Sequence, residues 1–113
     1  MNESEFVAVA ERTLALIGEA LDAALDASAL DLDWRVIDGI LEIEAEDGSR
    51  IIVNRHVPNR EMWLASKSGG YHFAARDGRW RDTRSGATLE AALARELHAQ
   101  AGLAVEFPAL EAP

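Results

Sequence analysis

No cysteine occurs in the 113 residues, so disulfides, thiolate zinc sites, cysteine-held iron–sulfur clusters and cysteine nucleophiles are excluded together. Histidine is scarce: His56, His72 and His98 are the whole supply, no two of them at helical spacing, and no H-E-x-x-H or E-x-x-H occurs. Any metal must therefore be held by oxygen and at most three histidines. No apolar run approaches the ~20 residues that a membrane span needs. Met1-Asn2-Glu3-Ser4-Glu5 has the wrong charge for a signal peptide, so the expected location is the cytoplasm, with no membrane partner. Basic residues are few, 11 Lys and Arg against 20 Asp and Glu, and a net charge of −9 argues against a nucleic-acid partner, because phosphate binding runs on clustered cations.

The acids that dominate are unevenly placed. The first 47 residues hold thirteen of them against Arg12 and Arg35, a balance of −11, while the other 66 hold seven against nine basic residues, a balance of +2. A one-sided field of this kind focuses cations or a basic partner on one part of a molecule, which points to binding ahead of catalysis.

The length fits one domain spanning residues 1–113, with no internal repeat, linker or low-complexity tract. Phe6, Ala10, Leu14, Ile17, Leu21 and Leu25 recur at helical spacing and predict a first helix from Glu3 to Leu25, capped by Asn2 with Glu5 completing a capping box. Alternation then replaces the helical period. Leu30, Leu32, Trp34 and Val36 form one face of a strand, and Asp31, Asp33 and Arg35 the other. Asp38-Gly39 and Asp47-Gly48 read as hairpin turns around a strand that turns Leu41, Ile43 and Ala45 inward and Glu42, Glu44 and Glu46 outward. Arg50–Asn54, Glu61–Ser66, Tyr71–Ala75 and Arg79–Asp82 follow as strands, with a turn expected at Ser68-Gly69-Gly70. Thr88 caps a second helix with the stripe Leu89, Leu93, Leu97, and Gly102 ends it. The expected class is α+β: a two-layer sandwich with both helices on one face of a five- to six-stranded antiparallel sheet.

On the first helix Glu11, Glu19, Asp22 and Asp26 fall within an arc of roughly 80°, beside the apolar stripe. Asp31 and Asp33 extend this set onto the next strand, and together the six form a candidate metal-binding ridge. The plain alternative is a solvated helix face. Against it stands the shortage of Lys or Arg at i+4, since like charges at that spacing oppose folding. Exposed carboxylates suit hard divalent and trivalent cations, held weakly and at several places. Trp63 is flanked by Met62 and Leu64; if those two face inward, Trp63 faces outward as a binding anchor. Trp34 and Trp80 read as core or sheet-edge packing. The three histidines read as ordinary surface or capping residues.

Across nearly the whole chain short motifs stand in a fixed order: N-E-S-E-F at the start, L-E-I-E and D-G-S-R-I-I-V-N-R in the meander, then Pro58, W-L-A, Gly69-Gly70, Y-H-F, R-S-G and Q-A-G. In this order the chain resembles the bacterial frataxin family. The resemblance implies the sandwich already read from the periodicities, iron (Fe²⁺ or Fe³⁺) held weakly by ridge carboxylates, and a modulatory role in iron–sulfur cluster assembly through a cysteine desulfurase and a scaffold protein. It places Glu19, Asp22, Asp31 and Asp33 in the ridge and matches Glu3, Glu5 and Glu11 to acidic N-terminal turns. Asp22, Asp31 and Asp33 would also meet the partner, as would Asn54 and Trp63 on the sheet. The chain departs from the family at Ala23, Ala24, Ala27 and Ala29, which thin the ridge, at Arg35, and at His56 and Glu61 on the sheet. The expected state is a monomer acting without catalysis. A ferroxidase or iron store built by iron-induced oligomerisation is the alternative.

Overall fold

The computed structural model describes Met1 to Pro113 in the order α1 (Glu3–Asp26), β1 (Asp33–Ile37), β2 (Ile40–Glu44), β3 (Arg50–His56), β4 (Glu61–Ser66), β5 (Gly69–Arg76), β6 (Arg79–Asp82) and α2 (Leu89–Ala101). The six strands form one sheet in sequence order, antiparallel throughout. Both helices lay their apolar stripes on one face of it, as the periodicities require. Neither is long and apolar enough to cross a membrane.

The capping box forms as expected: Asn2 Oδ1 accepts from the Glu5 N–H at 2.8 Å, and the Glu5 side chain reaches back to the Asn2 N–H. Phe6, Ala10, Leu14, Ile17 and Leu21 from α1 are buried against Leu41, Ile43, Ile51, Val53, Met62, Leu64, Phe73 and Trp80 from the strands and Leu89, Leu93 and Leu97 from α2. Asp38 and Gly39 carry the positive φ angles, 51° and 77°, that a tight hairpin turn demands. Gly102 at φ 69° closes α2, its N–H reaching the carbonyl of His98 and that of Leu103 reaching Leu97.

Three boundaries differ from the sequence reading. β1 begins at Asp33, not Leu30, because Ser28 and Glu46 capture the preceding backbone: Ser28 Oγ accepts from the Leu30 N–H at 3.2 Å and Glu46 Oε1 from the Asp31 N–H at 2.8 Å. Asp31 is thus a loop residue beside the strand. The β4–β5 turn falls on Lys67 and Ser68, and Gly69 and Gly70 belong to β5, since Ser66 pairs with Gly69. β3 runs on to His56. Beyond α2, the segment from Leu103 carries no secondary structure of length yet buries Leu103, Val105 and Leu110, and its Ala112 N–H bonds the Gly78 carbonyl at 2.9 Å.

Candidate functional site

The position of the ridge follows from one close approach. Gly18 faces the indole of Trp34, and a Cβ there would lie 2.5 Å from the ring. Trp34 Nε1 also donates to Asp22 Oδ1 at 2.8 Å. The C-terminal half of α1 is thereby held against β1, the open edge of the sheet, and Glu19, Asp22 and Asp26 stand exposed beside that edge. Asp31, Asp33, Glu44 and Glu46 line an open cleft of about 630 Å³ at the start of β1. Asp33 and Glu44 are direct cross-strand partners, a like-charge pair of the kind that destabilises a sheet.

Not every predicted ridge residue joins this group. Glu11 lies about 16 Å along the helix axis from Asp22, and it is paired with Arg55 at 3.0 Å. Glu42 is likewise compensated, by Arg35 at 3.4 Å and Arg50 at 3.2 Å. By contrast Glu19, Asp22, Asp26, Asp31 and Asp33 have no cation within ion-pair distance. Hard oxygen donors are thus abundant here, but no three Asp, Glu, His or Cys side chains converge closely enough to hold one metal ion. Such an arrangement offers single or paired carboxylates, with water completing the shell of any bound cation.

The second surface is the helix-free face of the sheet. Met62 and Leu64 are buried, so Trp63 points outward, with Asn54 on β3 and His72 on β5 as its cross-strand partners. The row continues through Ile40 to Ile37, which are 42% and 59% exposed. Small Ala65 and Gly70 leave a shallow groove of about 180 Å³ bounded by Ile52, Asn54, Trp63 and His72. Asn54 and Trp63 are thus cross-strand neighbours on this face, and Asp33 and Ile37 on β1 lie on the same face.

The setting of Trp63 was not legible from sequence. His56 stacks on one side of its indole, centroids 3.7 Å apart and rings 8° from parallel, and His72 on the other, at 4.1 Å and 7°. Trp63 Nε1 donates to Glu61 Oε1 at 2.9 Å. The register gives the signal for His72, which is directly across from Trp63, but only after the strands have been paired. A further network was also missed. Glu96 of α2 is buried and accepts from the Ser66 and Ser68 hydroxyls and from Arg95 Nε, joining α2 to the β4–β5 turn. Burial alone would raise its carboxyl, but these three donors outweigh it and hold the group below its ordinary value of 4.5. At the neighbouring turn Asp47 is held well below the usual carboxylate range, first by the Lys67 ammonium at 2.8 Å and then by Ser49.

Comparison with known proteins bears on the family and the fold. A frataxin-like domain matches residues 1–103. The iron–sulfur cluster assembly protein CyaY of Neisseria meningitidis serogroup B is 44% identical over 110 residues, 97% of this chain and 99% of that protein. The CyaY protein of Cupriavidus taiwanensis is 42% identical over 107 residues, covering 95% and 96%. Among solved structures, the frataxin of Psychromonas ingrahamii superposes with a TM-score of 0.79 at 29% identity, covering 96% of this chain and 99% of that one. A trimeric frataxin from Saccharomyces cerevisiae, solved in a ferrous complex, gives 0.72 at 25% identity, covering 83% and 86%.

Proposed function

The chain belongs to the frataxin-like family, and from that premise we propose that it is an iron-binding accessory protein of iron–sulfur cluster biogenesis, docking through its acidic ridge on a cysteine desulfurase and its scaffold. The observation that carries this reading is the gathering of Glu19, Asp22, Asp26, Asp31 and Asp33 at one sheet edge without a compensating cation. A basic surface on the partner would supply the missing charge, chiefly raising the association rate and making it salt-sensitive. Relatives over 40% identical carry the name of cluster assembly proteins, and a structural neighbour was solved in a ferrous complex.

Iron in this reading is cargo or signal, met by pairs such as Asp31 and Asp33. Asn54 and Trp63 add sheet-face contacts to the partner. The chain works as a cytoplasmic monomer and catalyses nothing itself; the scattered ligands favour this over a ferroxidase, whose chemistry needs a fixed two-metal centre.

The test is a binding titration of purified desulfurase against the chain and its Asp26→Lys, Asp31→Lys, Asp33→Lys variant. Asp22 is left in place because it anchors Trp34. The variant is expected to lose binding at low salt with its fold intact by circular dichroism; unchanged affinity would discard the ridge as the docking surface. In parallel, Fe²⁺ is expected to broaden amide signals from Glu19 to Asp33 and spare α2. A cluster-assembly assay across iron concentrations, with and without the chain, then reads the sign of its effect.

A further inference from the structure

Glu61 Oε1 accepts from Trp63 Nε1 at 2.9 Å and lies 4.0 Å from His72 Nδ1. The indole it holds is itself enclosed between the imidazoles of His56 and His72. Both faces of Trp63 are therefore covered, and its one polar atom is committed to a carboxylate that a second group could claim. Histidine is the side chain whose ordinary titration falls between pH 5 and 8. The indole bond to the Glu61 carboxylate has one ionised partner, whereas an imidazolium facing that carboxylate adds the attraction of two opposite full charges.

The surrounding charges leave Glu61 as the acid to which a new positive charge is drawn. On β6, Arg81 stands in the same cross-strand row as Glu61, with Ala74 between them. Asp82, Thr83, Arg84 and Tyr71 line the small cavity beside His72, but Asp82 is already engaged by the backbone N–H groups of Arg84 and Ser85. Arg60 precedes β4 and bonds the Val57 carbonyl. Asp38 lies in the β1–β2 turn beside the end of β3, where the Arg55 N–H meets the Gly39 carbonyl. His56 Nδ1 is buried without a hydrogen-bond partner.

We propose that His56, Glu61, Trp63 and His72 form a proton switch on the open sheet face. With both imidazoles neutral, the Glu61 carboxylate holds the indole N–H and gives the cluster its one negative charge. When His72 takes a proton from solvent, the imidazolium draws the Glu61 carboxylate toward Nδ1 and releases the indole N–H. The net charge of the cluster then goes from −1 to zero, and the positive imidazolium lies against the π face of the tryptophan. A partner segment meeting this cluster would find a net negative charge above the titration and a charge-neutral ion pair below it. His56 and His72 are thus positioning residues for Trp63, and Glu61 is the element with two states.

The indole N–H signals of uniformly ¹⁵N-labelled protein report this directly between pH 5 and 8. Trp34 and Trp80 serve as internal controls, since their indoles bond Asp22 and Thr13, away from any imidazole. The Trp63 signal, identified by its absence in Trp63→Phe, is expected to move in one sigmoidal step while the other two stay still. In Glu61→Gln and in His72→Gln the step is expected to shrink to a small fraction of its wild-type size. A Trp63 signal that does not move, or that moves as far in His72→Gln, would overturn the switch. Its use rests on the proposed docking at Trp63, which Trp63→Ala tests separately through scaffold affinity at one fixed pH, whereas the switch is read in the free protein.

Discussion

Gly18 and Trp34 meet at a distance that leaves no room for a side chain: a Cβ on Gly18 would come within 2.5 Å of one ring atom of Trp34 and 2.9 Å of the next. A helix interior normally gains about 1 kcal/mol when glycine becomes alanine. Here the added methyl must push the indole away, and overpacking of this kind costs about 1–3 kcal/mol. Gly18→Ala is therefore expected to lower stability by up to about 2 kcal/mol in urea unfolding. It should also weaken the bond between Trp34 Nε1 and Asp22, visible as a shifted Trp34 indole signal. A variant more stable than wild type would mean that α1 does not rest on β1 through this contact.

Trp80, at the centre of the core, sets a second test. Its ring meets Phe6 edge-on with centroids 5.8 Å apart, and its Nε1 donates to Thr13 Oγ1 at 3.1 Å in a fully buried setting. Thr13→Val keeps the shape but removes the acceptor, so an indole N–H is left buried and unsatisfied. Such a loss costs about 1–3 kcal/mol. Thr13→Ser restores the acceptor and should recover most of the stability, which separates the hydrogen bond from packing.

Glu96 predicts how stability varies with pH. Its carboxyl is lowered in the folded chain relative to its ordinary 4.5. A group of this sign contributes stability that is fully present above its unfolded value and is lost as pH falls through its folded one. The difference in unfolding free energy between wild type and Glu96→Gln should therefore be constant from neutral pH down to about pH 5 and shrink below it. Equilibrium urea unfolding at pH 7, 5 and 3.5 checks this. A difference that grows on acidification would show that burial, not the Ser66, Ser68 and Arg95 donors, governs this carboxyl.

The parts of the fold that were legible in sequence are those with a period. The stripe from Phe6 to Leu25 and the alternation of Met62, Trp63 and Leu64 each state which side is buried, because a residue off register would move every neighbour with it. That Glu19, Asp22 and Asp26 stand exposed on one side of α1 was legible for the same reason, as angles on a helix. What stayed hidden depends on contacts between distant elements. Arg55 neutralises Glu11 across 44 positions, and nothing local to either residue announces it. Leu103, Val105 and Leu110 close the core from a segment with no repeating pattern. The histidines beside Trp63 needed the pairing of three strands before their stacking could be seen.

Asp33 tests why the β1 edge keeps its negative charge. Asp33 and Glu44 oppose each other across β1 and β2, and like charges so placed destabilise a sheet by about 0.2–1 kcal/mol. Asp33→Asn removes one of them while keeping size and polarity, so it should raise stability by up to that amount, most at low salt where screening is weakest. If the proposed docking holds, the same change weakens desulfurase binding and makes it less salt-dependent, since one charge of this edge is gone. Stability gained together with affinity lost is the pattern of a charge retained for use. If Asp33→Asn left affinity untouched, or lowered stability, the carboxylate would be serving the β1 edge itself, as a charge that keeps an open strand from pairing with other chains.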